Sequence, residues 1–304
     1  MRRAARIMVF AAALSAACAR YPSSPGERIT APDPRRAGVA GADGPRGAAI
    51  ISFAAQSRVT ESLAIEVVFP ARADNTLLVE RTPYPAVVFL QGAAITRERY
   101  HWLAAHLATR GYVVILPDHP FNLPMLDTDH AILALRAVRD AAVEPGTLQG
   151  AVDPAAPAAV VGHSLGGVIA ARQWVQHAEF LGLVMLAAYP AGTDDVASRP
   201  GSPVLLVAGT ADVPTPLTRV QESLLSFRPP RLYAQVDGLN HYAWTDSPAS
   251  DELTSDGPRP PDLAATRRQA LTVVDRWLDA TLRRDADAAA ALDRGGFPGV
   301  TLLR

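Results

Sequence analysis

The stretch Val160-Val161-Gly162-His163-Ser164-Leu165-Gly166-Gly167 determines how this chain is interpreted. It has the form Gly-x-Ser-x-Gly, with apolar residues before it and a helix-forming segment after it. That pattern is typical of a nucleophile elbow, in which a serine lies on a sharp strand-to-helix turn. Gly162 and Gly166 lack a Cβ, so a strand and a helix can pack closely around a strained serine backbone. The stretch therefore predicts that Ser164 is a nucleophile.

The context of the five-residue pattern decides between two interpretations. A glycine-rich turn with an ordinary N-cap serine would give the same letters, because serine favours the start of a helix. Residues 158–161 are apolar and strand-like, however, and residues 168–175 are helix-forming. A strand before the serine and a helix after it are what this motif requires, so the context favours the elbow.

The composition of the chain suits one large globular domain. Of the 304 residues, 49% are hydrophobic, which is enough for an ample core. The formal net charge is −1. Such a balance gives no strong electrostatic footprint, and it argues against nucleic acid as a partner.

Residues 1–19 have the pattern of an export signal peptide. Arginines near the start precede an apolar stretch, residues 7–17, that is too short to span a bilayer. The only cysteine, Cys18, ends this stretch in a setting that resembles a bacterial lipobox, whose cysteine is lipidated. Cleavage at Ala17-Cys18-Ala19 would instead release a soluble protein. We expect an exported protein that is either a membrane-anchored, periplasmic lipoprotein or secreted.

The rest of the chain divides into three predicted parts. Residues 20–48 carry repeated proline and glycine without apolar periodicity, which predicts a flexible linker that could hold a domain off a membrane. Residues 49–284 are predicted to form the domain, and residues 285–304 a C-terminal tail.

Strand-like and helix-like segments alternate along the predicted domain. Strands are predicted at 50–54, 63–69, 86–90, 112–116, 158–161, 181–188, 204–208 and 232–236. Helices are predicted at 100–110, 129–143, 217–227 and 263–282, and directly after the elbow. Strands separated by helices predict the α/β class, with a mostly parallel central sheet flanked by helices. The connections are too short for a large cap domain, so we expect an open site.

Two polar residues complete a catalytic triad with the predicted nucleophile. Catalytic groups gather past the carboxyl ends of parallel strands, and the chain order in this arrangement is serine, acid, histidine. Asp212 follows the strand 204–208, and His241 follows the strand 232–236. His241 could take the proton of Ser164 and return it to the leaving group. Asp212 would hold the imidazole and stabilise its charged form.

Other acids and histidines are weaker candidates for these roles. Asp194 or Asp195, after the preceding strand, is the alternative acid, and Asp118 is expected to be structural or near the rim of the pocket. The side chain of His163 is expected to point away from that of Ser164 and to serve packing or substrate-side support. The remaining histidines lack a suitable position, and an exposed helix face is expected for the first two: His101, His106, His119, His130 and His177.

An oxyanion hole requires two backbone N–H donors. One is expected from Leu165, which follows the nucleophile at a helix N-terminus, where free N–H groups and the helix dipole favour negative charge. The other is expected from the loop after the strand 86–90. Ala93 is the first candidate there and Ala94 the second.

With these elements in order, residues from about 50 to 284 resemble the α/β-hydrolase superfamily of serine esterases and lipases. The segments 87–92 and 103–117 look like its dienelactone-hydrolase and polyester-hydrolase or cutinase-like branch. Two departures are visible: Gln91-Gly92 stands where His-Gly or Pro-Gly is usual, and serine replaces the dienelactone-hydrolase cysteine.

The resemblance assigns the same roles as the residues do. It implies Ser164 as nucleophile, Asp212 as acid, His241 as base, and Ala93 and Leu165 as oxyanion donors. It also implies that no cofactor is needed and that the substrate is a small-molecule, lipid or polymer ester, cleaved through an acyl-enzyme. An acyltransferase or perhydrolase could use the same triad, and a non-catalytic surface lipoprotein could keep the fold. Trp244 either borders the acyl pocket or is an ordinary core or surface tryptophan.

Overall fold

The computed structural model describes residues 22–30, 41, 43–56, 62–79, 82–123, 125 and 129–304. The predicted signal peptide and Cys18 lie outside these residues. No helix in the described part is both long enough and apolar enough to span a membrane.

One mixed sheet organises the described residues. Its ten strands are β1 (Glu27–Thr30), β2 (Gly47–Gln56), β3 (Ser62–Ala71), β4 (Ala86–Leu90), β5 (Val113–Pro117), β6 (Ala158–His163), β7 (Phe180–Leu186), β8 (Val204–Gly209), β9 (Arg231–Val236) and β10 (Val300–Leu303). They lie in the order β1-β2-β3-β5-β4-β6-β7-β8-β9-β10. The six strands from β4 to β9 run parallel, and the outer strands pair antiparallel.

Helices cover both faces of this sheet. They are α1 (His101–Thr109), α2 (His130–Val143), α3 (Leu165–Gln176), α4 (Leu217–Ser223), α5 (Ser250–Ser255), α6 (Leu263–Leu282) and α7 (Ala286–Arg294). Two separate apolar cores result, one under α2, α3 and α4 and the other under α1, α6 and α7. The strands β4, β5, β6 and β8 are buried along their whole length, which explains their continuous apolar sequence. The predicted fold class, α/β with a mostly parallel sheet flanked by helices, is confirmed.

The described part of residues 20–48 does not match the predicted flexible linker. Strand β1 pairs antiparallel with β2 at the edge of the sheet. The N–H of Gly41 donates to Asp275 Oδ2 at 2.9 Å, and the N–H of Gly44 donates to Thr109 Oγ1 at 2.8 Å. A Cβ on Gly44 would lie 2.1 Å from the Thr109 carbonyl oxygen. The glycines that suggested a linker instead permit close packing.

The predicted C-terminal tail, residues 285–304, is also wrong. Its residues form α7 and β10, and β10 extends the sheet by pairing with β9. Asp285 caps α7 by accepting the N–H of Ala288 at 2.9 Å. The domain therefore continues past Leu282, because the edge of β9 offers unpaired backbone groups that a returning strand can satisfy.

Candidate active site

Ser164 lies at a sharp turn between β6 and α3. Its backbone has φ 53° and ψ −124°, a strained conformation for a residue with a side chain. The turn is possible because of its glycines: a Cβ on Gly162 would lie 2.2 Å from the Gly166 carbonyl oxygen, and one on Gly166 would lie 2.2 Å from that of Leu90. The geometry is the elbow that the sequence predicts.

His241 and Asp212 meet at the carboxyl ends of the neighbouring strands β9 and β8. His241 Nδ1 lies 3.1 Å from each carboxylate oxygen of Asp212, and both side chains are buried. Asp212 Oδ1 also accepts the N–H of Thr215 at 2.7 Å. Because a carboxylate can only accept, Nδ1 of His241 carries the proton. Nε2 is therefore left as the nitrogen that can take a proton from another group.

The alternative acids have other partners or positions. Asp194 Oδ1 lies 3.0 Å from Arg172 Nε, and Asp195 is exposed beside a short 3-10 turn. The carboxylate of Asp118 is about half exposed and lies 4.0 Å from Arg97 Nη1. Of the acids considered, Asp212 is the one that contacts His241.

The N–H groups considered as oxyanion donors differ in their hydrogen bonding. Leu165 is the first residue of α3, and helix N-termini present free donors. The N–H of Ala94 donates to the Asn122 carbonyl at 2.8 Å, so this second candidate is already engaged. No hydrogen bond from the N–H of Ala93 or Leu165 is found within the described part of the chain.

His163 is packed against the candidate base rather than exposed to substrate. It is fully buried, and its ring centroid lies 4.7 Å from that of His241. Its Nδ1 lies 2.8 Å from Tyr100 Oη, which accepts the N–H of Gly92 at 3.0 Å. Since burial raises the pKa of Tyr100, the hydroxyl keeps its proton and donates it to Nδ1. A hydrogen-bond chain thus joins the predicted oxyanion loop to the neighbour of the base.

Burial and the charge of His241 both act on the neighbouring ring. Removal from water and the positive charge of His241 hold the pKa of His163 well below its usual range. His163 therefore stays neutral beside a histidine that becomes charged when it takes a proton. Sequence reasoning missed Tyr100 and Thr215, because neither belongs to a motif, and Tyr100 lies 63 residues from His163 along the chain.

Two further expectations are settled by burial. His106 is buried and contacts Asp275 at 3.0 Å, so the expected exposed helix face is wrong for this residue. Trp244 is fully buried and belongs to the core under α1 and α6. Among the described residues there is no group of three or more His, Cys, Asp or Glu side chains arranged to hold a metal.

A cavity of about 670 Å³ lies at the amino ends of β8 and β9, the opposite end of the strands from these residues. Its walls include Pro203, Arg231 and Trp277. The length of the strands separates this cavity from Ser164. The candidate active site is therefore located by the contacts among its side chains and not by the size of a cavity.

A comparison with protein families gives one match. A family model described as an alpha/beta hydrolase family matches residues 86–247, just over half of the chain. The matched span includes the elbow and both partners of the Asp212–His241 pair. No curated protein matches the chain.

Proposed function

The chain belongs to the alpha/beta hydrolase family, and from this premise we propose that it cleaves carboxylic esters through an acyl-enzyme, with Ser164, His241 and Asp212 as its triad. The observation that carries the proposal is the position of His241 Nδ1, 3.1 Å from both Asp212 oxygens. That contact prepares Nε2 to act as a base for Ser164, which lies at the carboxyl end of β6 in the same parallel sheet.

The proposed reaction has two halves. Ser164 Oγ attacks the ester carbonyl carbon while His241 Nε2 takes its proton, and the N–H groups of Leu165 and Ala93 bind the oxyanion. The intermediate collapses, the alcohol leaves with the proton from His241, and an acyl-serine remains. Water then attacks the acyl carbon, loses a proton to His241, and releases the carboxylic acid and the free serine.

Replacement of the nucleophile tests this proposal. We expect Ser164→Ala to lose hydrolysis of p-nitrophenyl butyrate and labelling by a fluorophosphonate, because among the described residues Ser164 is the hydroxyl at the strained turn between β6 and α3. Ser226→Ala is the matched control, since Ser226 is exposed and its hydroxyl bonds only the local Ser223 carbonyl. A Ser164→Ala protein that is as active as wild type contradicts the proposal. A wild-type protein that neither hydrolyses the ester nor reacts with the fluorophosphonate is a non-catalytic member of the family.

We also propose that the protein is exported, on the pattern of residues 1–19. Fractionation of the producing cells and metabolic labelling with a fatty acid test this, with Cys18→Ser as the variant. Lipidation at Cys18 predicts a labelled, membrane-bound protein whose label is lost in the variant. Release of unlabelled protein from the cell supports simple cleavage, and retention in the cytoplasm contradicts export.

A further inference from the structure

A second, smaller cavity opens at the same end of the parallel strands as Ser164, their carboxyl end. Its volume is about 270 Å³, and it lies between the start of β3 and the residues that follow β5. The side chains that matter for its chemistry are those of Ser62, Leu63, Asp118, His119, Phe121 and His130.

His119 is the unexplained group in this cavity. It is only 4% exposed, and neither of its ring nitrogens has a hydrogen-bond partner among the residues that the structure describes. Its ring stacks on that of His130 at 5.4 Å, whose Nδ1 bonds the Asp118 carbonyl at 2.7 Å. Buried polar atoms are almost always hydrogen bonded. A side chain of this kind, lining a cavity, indicates a ligand that bonds it.

The surroundings of His119 restrict the charge of that ligand. Burial, followed by the positive charges of His130 and Arg97, lowers the pKa of His119 to about 3. The ring is therefore neutral and offers one donor and one acceptor. The half-exposed carboxylate of Asp118 disfavours an anion, and Arg97, 4.0 Å from it, disfavours a cation.

The remaining walls fit a neutral compound with several hydroxyl groups. One hydroxyl can donate to the unprotonated ring nitrogen and a second hydroxyl can accept from the protonated one, and Ser62 adds a further hydroxyl. Leu63 and the ring of Phe121 supply apolar surface for the carbon skeleton. The volume of about 270 Å³ lies just below the range for drug-sized sites, roughly 300–1,000 Å³, which suits a smaller group such as a glycerol unit or a single sugar ring.

Phe121 is held at the rim of the cavity by the backbone. Its side chain is 86% exposed, and both Phe121 and Asn122 have left-handed backbones, with φ 53° and 55°. The N–H of Asn122 donates to the His119 carbonyl at 2.9 Å, and the Asn122 carbonyl accepts the N–H of Ala94 at 2.8 Å. The rim is thus joined directly to the predicted oxyanion loop.

The strand order places this cavity within reach of a bound ester. The strands β5, β4 and β6 are neighbours in that order. With about 4.8 Å between adjacent strands, the end of β5 lies on the order of 10 Å from the elbow. An ester whose carbonyl lies at Ser164 can extend its alcohol part over that distance.

We propose that the cavity around His119 binds the polyol part of an ester substrate. The inference rests on the proposed function and deepens it, because it names esters of glycerol or of a sugar as the substrate class. His119 bonds two hydroxyl groups of the polyol, one at each ring nitrogen, and Phe121 covers the carbon face.

Paired substrates test the proposal by steady-state kinetics. Glyceryl monobutyrate and ethyl butyrate share an acyl group and differ in the alcohol. We expect His119→Phe to raise the KM for the glyceryl ester about tenfold, as for the loss of a hydrogen-bonded contact, while the KM for the ethyl ester stays unchanged. Phe121→Ala removes an exposed side chain, so it leaves the fold intact and should raise the same KM by a smaller factor. Equal effects on both esters, or no effect in either variant, overturn the proposal.

A binding measurement keeps the inference separate from the activity. In Ser164→Ala protein labelled with ¹⁵N-histidine, titration with glycerol should shift the ring nitrogens of His119 saturably and leave those of the distant His177 in place. A spectrum in which His119 does not respond overturns the proposal. If the wild type hydrolyses neither ester, the proposed function fails, and the titration still decides whether the cavity binds a polyol.

Discussion

His106 and His163 are two buried histidines near α1 that have opposite electrostatic surroundings. His106 lies 3.0 Å from Asp275 and 3.1 Å from Asp43. Burial works to lower its pKa, but the charge and hydrogen bonds of the two carboxylates outweigh burial and raise the pKa to about 9. His163 has no carboxylate beside it, and its pKa falls well below the usual range because of burial and the charge of His241.

The difference shows that burial alone does not decide the role of a histidine. The charged His106 joins α1 to α6 through Asp275, which also lies 3.1 Å from Arg110 Nε and accepts the N–H of Gly41. The contacts of Asp275 therefore hold Gly41 against α1 and α6. The neutral His163 leaves the positive charge of the proposed reaction to His241. Around His106, the charge of the histidine stabilises the fold. Around His163, the histidine stays neutral, so that it adds no second positive charge beside His241 in the proposed active site.

The largest expected effect is on kcat, and it comes from the acid that contacts His241. We expect Asp212→Asn to lower kcat about 10⁴-fold, because an amide no longer fixes the tautomer or stabilises the imidazolium of His241. Urea unfolding should change little by comparison. Asp194→Asn is the matched control and should keep full activity. A larger loss in Asp194→Asn than in Asp212→Asn would transfer the role of the acid to Asp194.

The next effect is on stability. Asp275→Asn leaves His106 and Arg110 without their buried counter-charge, and we expect the free energy of unfolding to fall by about 3–5 kcal/mol. Urea unfolding measures this, and kcat of the folded variant should stay close to that of wild type. Asp293→Asn removes an exposed ion pair with Arg304 and should cost less than about 1 kcal/mol. Equal losses in the two variants would mean that Asp275 is not a structural centre.

The raised pKa of His106 predicts a loss of stability at alkaline pH. In the unfolded chain the histidine titrates near 6.5, and in the folded protein at about 9. The contribution is therefore complete below about pH 6.5 and disappears as the pH rises through about 9, by an amount on the order of 3 kcal/mol. Urea unfolding across this range should show the decline, and His106→Asn should flatten it. The same slope in wild type and variant would assign it to another group.

The smallest effect concerns the hydrogen-bond chain beside His241. Tyr100→Phe removes the donor to His163 and the acceptor for the N–H of Gly92, so we expect kcat to fall about tenfold with KM little changed. Tyr233→Phe is the control, because the buried hydroxyl of Tyr233 has no partner. If both variants retain the same kcat, the chain does not position the oxyanion loop.

The central fold and the Asp212–His241 pair could be predicted because their signals are local. Each buried strand is a continuous apolar run, the elbow lies within a few residues, and chain order assigns the acid and the base. The edges could not be predicted in this way. Strands β1 and β10 are stabilised by backbone pairing with the sheet. Each has only four residues, too few for a strand signal: β1 has one apolar residue, and β10 is apolar at three positions but only partly buried.

The surroundings of the histidines were equally inaccessible from the sequence. His106 lies 169 residues from Asp275, and Tyr100 lies 63 residues from His163. Each histidine is defined by a partner that only the folded chain brings close. The helix pattern of residues 100–110 therefore predicted a surface position for His106, although the packing of α1 against α6 buries it.

Strand β1 has a consequence for the direction in which the protein faces. Just before β1, the Pro22 carbonyl accepts the N–H of Thr147 at 2.8 Å. Thr147 lies in the connection between α2 and β6, at the amino end of β6 and therefore at the opposite end of that strand from Ser164. Four peptide units separate Cys18 from Pro22, a reach of at most roughly 14 Å. A lipid on Cys18 would keep the end of the strands opposite Ser164 within a short distance of the membrane. The elbow would then open away from the bilayer, toward esters that arrive from the surrounding fluid.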